Sequence, residues 1–138
     1  MARLIIAAAI VAVTVLVAVV VRRRRPDAPT QAAAAVPAQL DRSEFARPDA
    51  AWLVAVFTSA TCHTCAEVVA KAQVLASDEV AVVEVEYGGR GETHRRYGVG
   101  AVPTLLLADA DGVVRASTLG PVSATDLWAL VAHARESP

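Results

Sequence analysis

The stretch WLVAVFTSATCHTC, residues 52–65, joins an unbroken apolar run to two cysteines separated by two residues. Trp52 to Thr58 is continuously aromatic and aliphatic, which predicts a buried central strand rather than a half-exposed one. Thr61 and the cysteines then open a helix over Cys62 to about Leu75, with Val68, Val69, Ala72 and Leu75 recurring at helical spacing. Cys62-His63-Thr64-Cys65 thus falls at a strand-to-helix turn. There, unsatisfied backbone amides and the positive end of the helix dipole favour thiolate over thiol at Cys62. A cysteine one helical turn later can resolve a mixed disulfide formed by the first. The spacing has other readings, among them half of a zinc site or two inert small core residues. Zinc takes about four ligands. The imidazoles outside the motif, His94 and His133, form no ligand pair, so no metal site is assigned.

Outward from this centre, Val80 to Glu86 (VAVVEVE) begins apolar and ends alternating, as a strand leaving the sheet interior does. GGRGE interrupts the pattern before a short helix near Thr93 to Tyr97. Thr104 to Ala108 and Val113 to Thr118 read as strands of an antiparallel hairpin, turned by Asp109-Ala110-Asp111-Gly112. Ser123 with Asp126 three residues on predicts a helix start, and Leu127, Leu130 and Val131 share its apolar face. Gln39 to Phe45 is a weak opening element in which Asp41 and Glu44 resemble a capping box. Trp52 and Trp128 are expected in the core, and Arg95 and Arg96 on a solvated face. The expected fold class is α/β, with a mixed sheet flanked by helices.

The N-terminus is a different polymer. Leu4 to Val21 carries no charge over eighteen residues, with Thr14 its only polar side chain. At helical rise it spans roughly 27 Å, enough for a single membrane-spanning helix. A cleaved signal peptide is the rival reading, opposed by the length of the run and by Arg22 to Arg25 in place of a small-residue cleavage site. The four arginines outnumber Arg3 and the amino terminus, so charge bias puts the C-terminal domain in the cytoplasm. The alternative is an extracytoplasmic domain. The expected organisation is an anchor over residues 1–25, a Pro/Ala-rich linker over 26–38 and a domain over 39–138.

Net charge is −1, but five of the thirteen basic residues flank the apolar N-terminal run. The other eight, set against fourteen acids, leave the rest at −6. With no basic stripe and no interleaved aromatics, nucleic-acid binding is not expected. Two cysteines this close cannot staple a fold, so their reading is chemical.

Residues Gln39 to Glu136 resemble the thioredoxin family. The resemblance rests on the strand-CxxC-helix unit, then Tyr97-Gly98-Val99-Gly100-Ala101-Val102-Pro103-Thr104, an Asp-Gly hairpin and a closing helix. It implies a thioredoxin fold and dithiol–disulfide exchange by Cys62 and Cys65 with protein substrates. It also implies a cis proline at Pro103, with the Val102 backbone presented to a substrate segment. The cysteine pair needs no cofactor, and a separate redox partner must recycle it.

The chain departs from the family pattern at three places. Thr61 replaces the tryptophan that serves as a platform. His63 stands between the cysteines, where a protonated imidazole would favour a nearby thiolate, or where it is a solvated helix-start residue. The buried acid of the family is replaced by Val56, while Glu84 on the next strand matches the family's neighbouring lysine, so either the acid has moved there or Glu84 is a plain solvated or salt-bridged glutamate. A non-catalytic module gripping a partner beside Pro103, a thiol peroxidase and a metal-handling protein are the rival functions.

Overall fold

A computed structural model of the chain describes residues 13–15 and 36–136. The backbone divides into two units, Met1–Gln31 and Ala32–Pro138. Of the first, Val13 to Val15 are helical. The rest of the apolar run Leu4 to Val21, the arginine block and the linker up to residue 35 lie outside the described residues. Among the described residues no helix is long and apolar enough to cross a membrane.

The second unit begins with a single 3-10 turn, Arg42–Glu44, followed by β1 (Trp52–Thr58), α1 (Cys65–Gln73) and β2 (Val80–Glu86). Then come α2 (Tyr87–Arg96), β3 (Thr104–Ala108), β4 (Val114–Leu119) and α3 (Ala124–Glu136). The sheet is mixed and four-stranded, in the order β2-β1-β3-β4. β1 lies parallel to β2, from Trp52 opposite Val80 to Thr58 opposite Glu86. Parallel neighbours need a crossover, and α1 supplies it. β3 runs antiparallel to both β1 and β4. The unbroken apolar run of β1 matches its interior place, for six of its seven residues are buried.

Alternation along the strands divides the core in two. Val54 and Val56 of β1 and Leu105 and Leu107 of β3 pack with Val68 and Ala72 of α1 and with Leu127, Val131 and Ala134 of α3. Leu53, Ala55, Phe57, Leu106 and Ala108 face the other way, onto Leu40, Phe45 and Ala50. Each fully buried leucine or phenylalanine contributes about 1.5–3 kcal/mol relative to an exposed one. The β3–β4 turn requires glycine at Gly112, which has φ 81° and where a Cβ would collide with the Leu40 carbonyl oxygen. Asp109 completes that turn by accepting from the Asp111 and Val113 amides and from Arg115.

The register also sorts the loops. Phe57 lies opposite Thr104, so the segment after β1 and the segment before β3 leave the sheet at one pole. The Asp109–Gly112 turn and the entering chain, whose Gln39 bridges to Val113, lie at the opposite pole.

Several local expectations are corrected. α2 spans Tyr87–Arg96, so the glycine-rich GGRGE is inside a helix that bends at Arg90 rather than ahead of it. The cause is Glu86, whose side chain accepts from the Gly89 amide and starts the helix at once. Asp41 caps its turn through Ser43, while Glu44 turns away to Tyr97 and Arg96, so no capping box forms. Trp128 is exposed, because the face of α3 that packs inward runs through Leu127, Val131 and Ala134. β4 starts one residue later than expected, at Val114, beside a register shift at Leu107/Ala108.

Candidate active site

β1 delivers the chain to the pole at Thr58, and the Cys62 amide donates to the Ser59 carbonyl at 3.1 Å to form a turn. α1 begins at Cys65, three residues later than the spacing predicts, so Cys62 precedes the helix instead of opening it. The reason lies in that turn, which holds residues 59–62 off the helical path. Thr64 occupies the position before the first helical residue, and its side chain makes no capping hydrogen bond. The start of α1 is thereby left without a side-chain acceptor of its own.

Cys62 and Cys65 are joined, with an S–S distance of 2.03 Å and Cα atoms 5.5 Å apart. Their surroundings differ. Cys62 is partly exposed, whereas Cys65, the first residue of α1, is 4% exposed. The Thr64 hydroxyl lies 3.9 Å from the Cys62 sulfur. An external thiol or disulfide therefore reaches Cys62 first. His63 and Thr61 are both exposed, Thr61 with its hydroxyl 3.4 Å from that of Ser59.

The Val102–Pro103 peptide bond is cis, as the resemblance implies. Pro103 is buried and Val102 half-buried. The loop is held on both sides, because the Thr104 hydroxyl donates to the Ala101 carbonyl at 2.7 Å and the Gly120 amide to the Pro103 carbonyl at 2.8 Å. Pro103 immediately precedes the residue paired with Phe57, so it and the cysteine turn share the same pole.

Glu84 lies directly opposite Val56 in the β1–β2 register. Its carboxylate accepts from the Thr58 hydroxyl at 2.8 Å. Thr58 is 1% exposed, and by alternation it shares with Val56 the face that receives α1. Thr58 escapes the sequence reading because it closes an apolar run. The available signal is its spacing of two from Val56, which puts both on one face.

His94 is likewise missed. It is 2% exposed, its Nε2 is 2.8 Å from the Val85 carbonyl, and its ring meets Phe57 and Tyr87 edge to face at 4.9 and 5.1 Å. Nothing in the flanking Thr93 and Arg95 announces a buried imidazole. Among the described residues no group of three or more His, Cys, Asp or Glu side chains could hold a metal ion.

No family model matches the chain, and no curated protein matches it either. Among solved structures, one described as the structure of a malarial protein is similar, with 21% sequence identity and a TM-score of 0.55. The match covers 60% of this chain and 96% of that one. At that identity the likeness is one of fold alone. This chain is an α/β domain with a mixed four-stranded sheet and a disulfide-linked cysteine pair in the turn between β1 and α1.

Proposed function

We propose that the chain is a membrane-tethered thiol:disulfide oxidoreductase of thioredoxin fold and family that exchanges electrons with protein disulfides. The observation that carries this reading is the asymmetry within one disulfide: Cys62 is reachable and Cys65 is buried, at a helix start with no side-chain cap.

In the reducing direction, the Cys62 thiolate attacks one sulfur of a substrate disulfide. A Cys62–substrate bond forms and the other substrate sulfur leaves as a thiolate. Cys65 then loses its proton and attacks the Cys62 sulfur, expelling the second substrate thiolate and closing the Cys62–Cys65 disulfide. Two electrons pass to the substrate. The reverse sequence oxidises a substrate dithiol, and in either direction a second redox protein restores the pair.

Glu84, which already holds the Thr58 hydroxyl, is the carboxylate offered on the α1 side of the sheet to take the Cys65 proton. His63 adds positive charge beside the thiolate when protonated, and Thr61 leaves the sulfur without an indole cover. The backbone of Val102, ahead of Pro103, is the edge to which an extended substrate segment pairs. The run Leu4 to Val21 with Arg22 to Arg25 supports a single-pass anchor with the domain in the cytoplasm.

The test is chemical trapping. Cys65→Ser should accumulate a mixed disulfide with substrate proteins through Cys62, and Cys62→Ser should abolish both trapping and turnover. Undiminished function in Cys62→Ser cells would favour a binding module. Labelling of Cys62 in intact cells by a membrane-impermeant thiol reagent would overturn the cytoplasmic placement.

A further inference from the structure

We propose that a cavity beside the cysteine turn selects substrates carrying a tyrosine or tryptophan next to the reacting cysteine, an inference that rests on the thiol-exchange reading above. The cavity, about 460 Å³, lies in the size range of small-ligand pockets. Three parts of the chain meet there: Ser59, three residues before Cys62; Tyr87, His94 and Arg95 of α2; and the Val99–Val102 loop that leads to Pro103. A polypeptide paired along Val102 with a cysteine at Cys62 must pass its mouth.

The walls specify the occupant. The Val85 carbonyl can only accept, so His94 Nε2 carries a proton, and in the neutral imidazole Nδ1 is the acceptor. Among the described residues no group bonds Nδ1. The sole buried side-chain nitrogen or oxygen left without a partner among those residues is Arg42 Nε, so Nδ1 is not sealed off, and His94 lines the cavity. Phe57 and Tyr87 clamp the imidazole edge-on, which fixes that acceptor in advance. Arg95 lies at the rim, its side chain 65% exposed and only loosely paired with Glu92 at 3.9 Å. Its guanidinium is available to stack on a ring face.

An occupant that satisfies these groups has an apolar ring for the valine loop and one hydrogen-bond donor at its tip for Nδ1. Tyrosine and tryptophan have both. Phenylalanine fills the space but leaves the acceptor unpaired, and a carboxylate sets its own lone pairs against that of Nδ1.

Gly100 supplies the decisive variant. Gly100 lines the cavity and a Cβ there meets nothing within 4 Å, so a large side chain is accommodated at its wall without displacing backbone. The experiment uses the reduced full-length chain and disulfide-linked peptides with Tyr, Trp, Phe, Glu or Ala at each of the two positions on either side of the cysteine. Cystamine serves as a disulfide without side chains. Peptides with Tyr or Trp should show kcat/KM about tenfold above Ala, with Phe between. Gly100→Trp should erase that preference, read as the Tyr-to-Ala ratio of kcat/KM within the variant, and His94→Phe should bring Tyr down to the level of Phe. Equal rates across the wild-type peptide series, or a fastest Glu peptide, with cystamine still reacting, overturns the cavity proposal alone. Failure of the reduced chain to exchange with cystamine overturns the thiol-exchange reading, and the cavity proposal with it.

Discussion

Two strand-to-helix junctions stand side by side at the same pole of the sheet and are built in opposite ways. β2 passes into α2 without a loop, since Glu86 ends the strand opposite Thr58 and also caps the helix. Hydrogen bonds from the Gly88 and Gly89 amides, with a smaller one from Ala60, hold the Glu86 carboxyl below the usual carboxylate range. β1 reaches α1 only after the six residues Ser59–Thr64, and Thr64 makes no capping bond. One helix start is filled by its own carboxylate, and the other is left open beside a cysteine sulfur. Identical supersecondary units thus become a structural joint or a reactive one according to what occupies the first-turn amides.

The comparison can be broken at its base or sharpened at its rim. Phe57 backs both junctions, being fully buried on β1 and in edge-to-face contact with His94 of α2. Phe57→Ala should destabilise the domain by about 3–5 kcal/mol, measured by chemical denaturation. Thr64→Asp gives α1 the kind of cap that α2 has. It should raise the thiol pKa of reduced Cys62 by about one unit and cut its alkylation rate near neutral pH about tenfold. An unchanged pH profile would mean that the open helix start does not activate the sulfur.

Glu84→Gln should slow the resolving step severalfold and remove one ionisation from its pH dependence, read by the decay of a trapped mixed disulfide. Loss of the Thr58 bond alone would alter stability and leave that profile in place. The smallest effect belongs to Glu86→Gln. Because folding lowers the pKa of Glu86, its contribution is fully present above the usual carboxylate range, near pH 4, and fades as pH falls through the folded value. The variant should melt a few degrees lower at neutral pH, with the gap closing in acid, and should exchange thiols at the wild-type rate.

The legible parts of this molecule were those written in consecutive residues. The β1 run, the Asp-Gly turn with Gly112 and the Ser123 helix start are short-range signals, and each stands where its pattern places it. α2 was misread because three glycines argue against a helix by propensity, while one carboxylate at Glu86 starts it. Trp128 departs from expectation because a large aromatic ring argues for burial, yet the packed face of α3 runs through Leu127 and Val131. The start of α1 moved because a backbone bond from Cys62 to Ser59, invisible in composition, closes a turn first.

By itself, the sequence determined that two cysteines follow a buried strand at a strand-to-helix turn, since apolar continuity and spacing are properties of one segment. Only the tertiary structure decided which cysteine is reachable, that Glu84 meets Thr58 across the strands, and that His94 and Val102 line one cavity. Those facts depend on residues far apart in the chain being packed at a particular register. A one-residue slip of β2 would send Glu84 to the opposite face, and no local pattern forbids that slip as firmly as the two packed cores do.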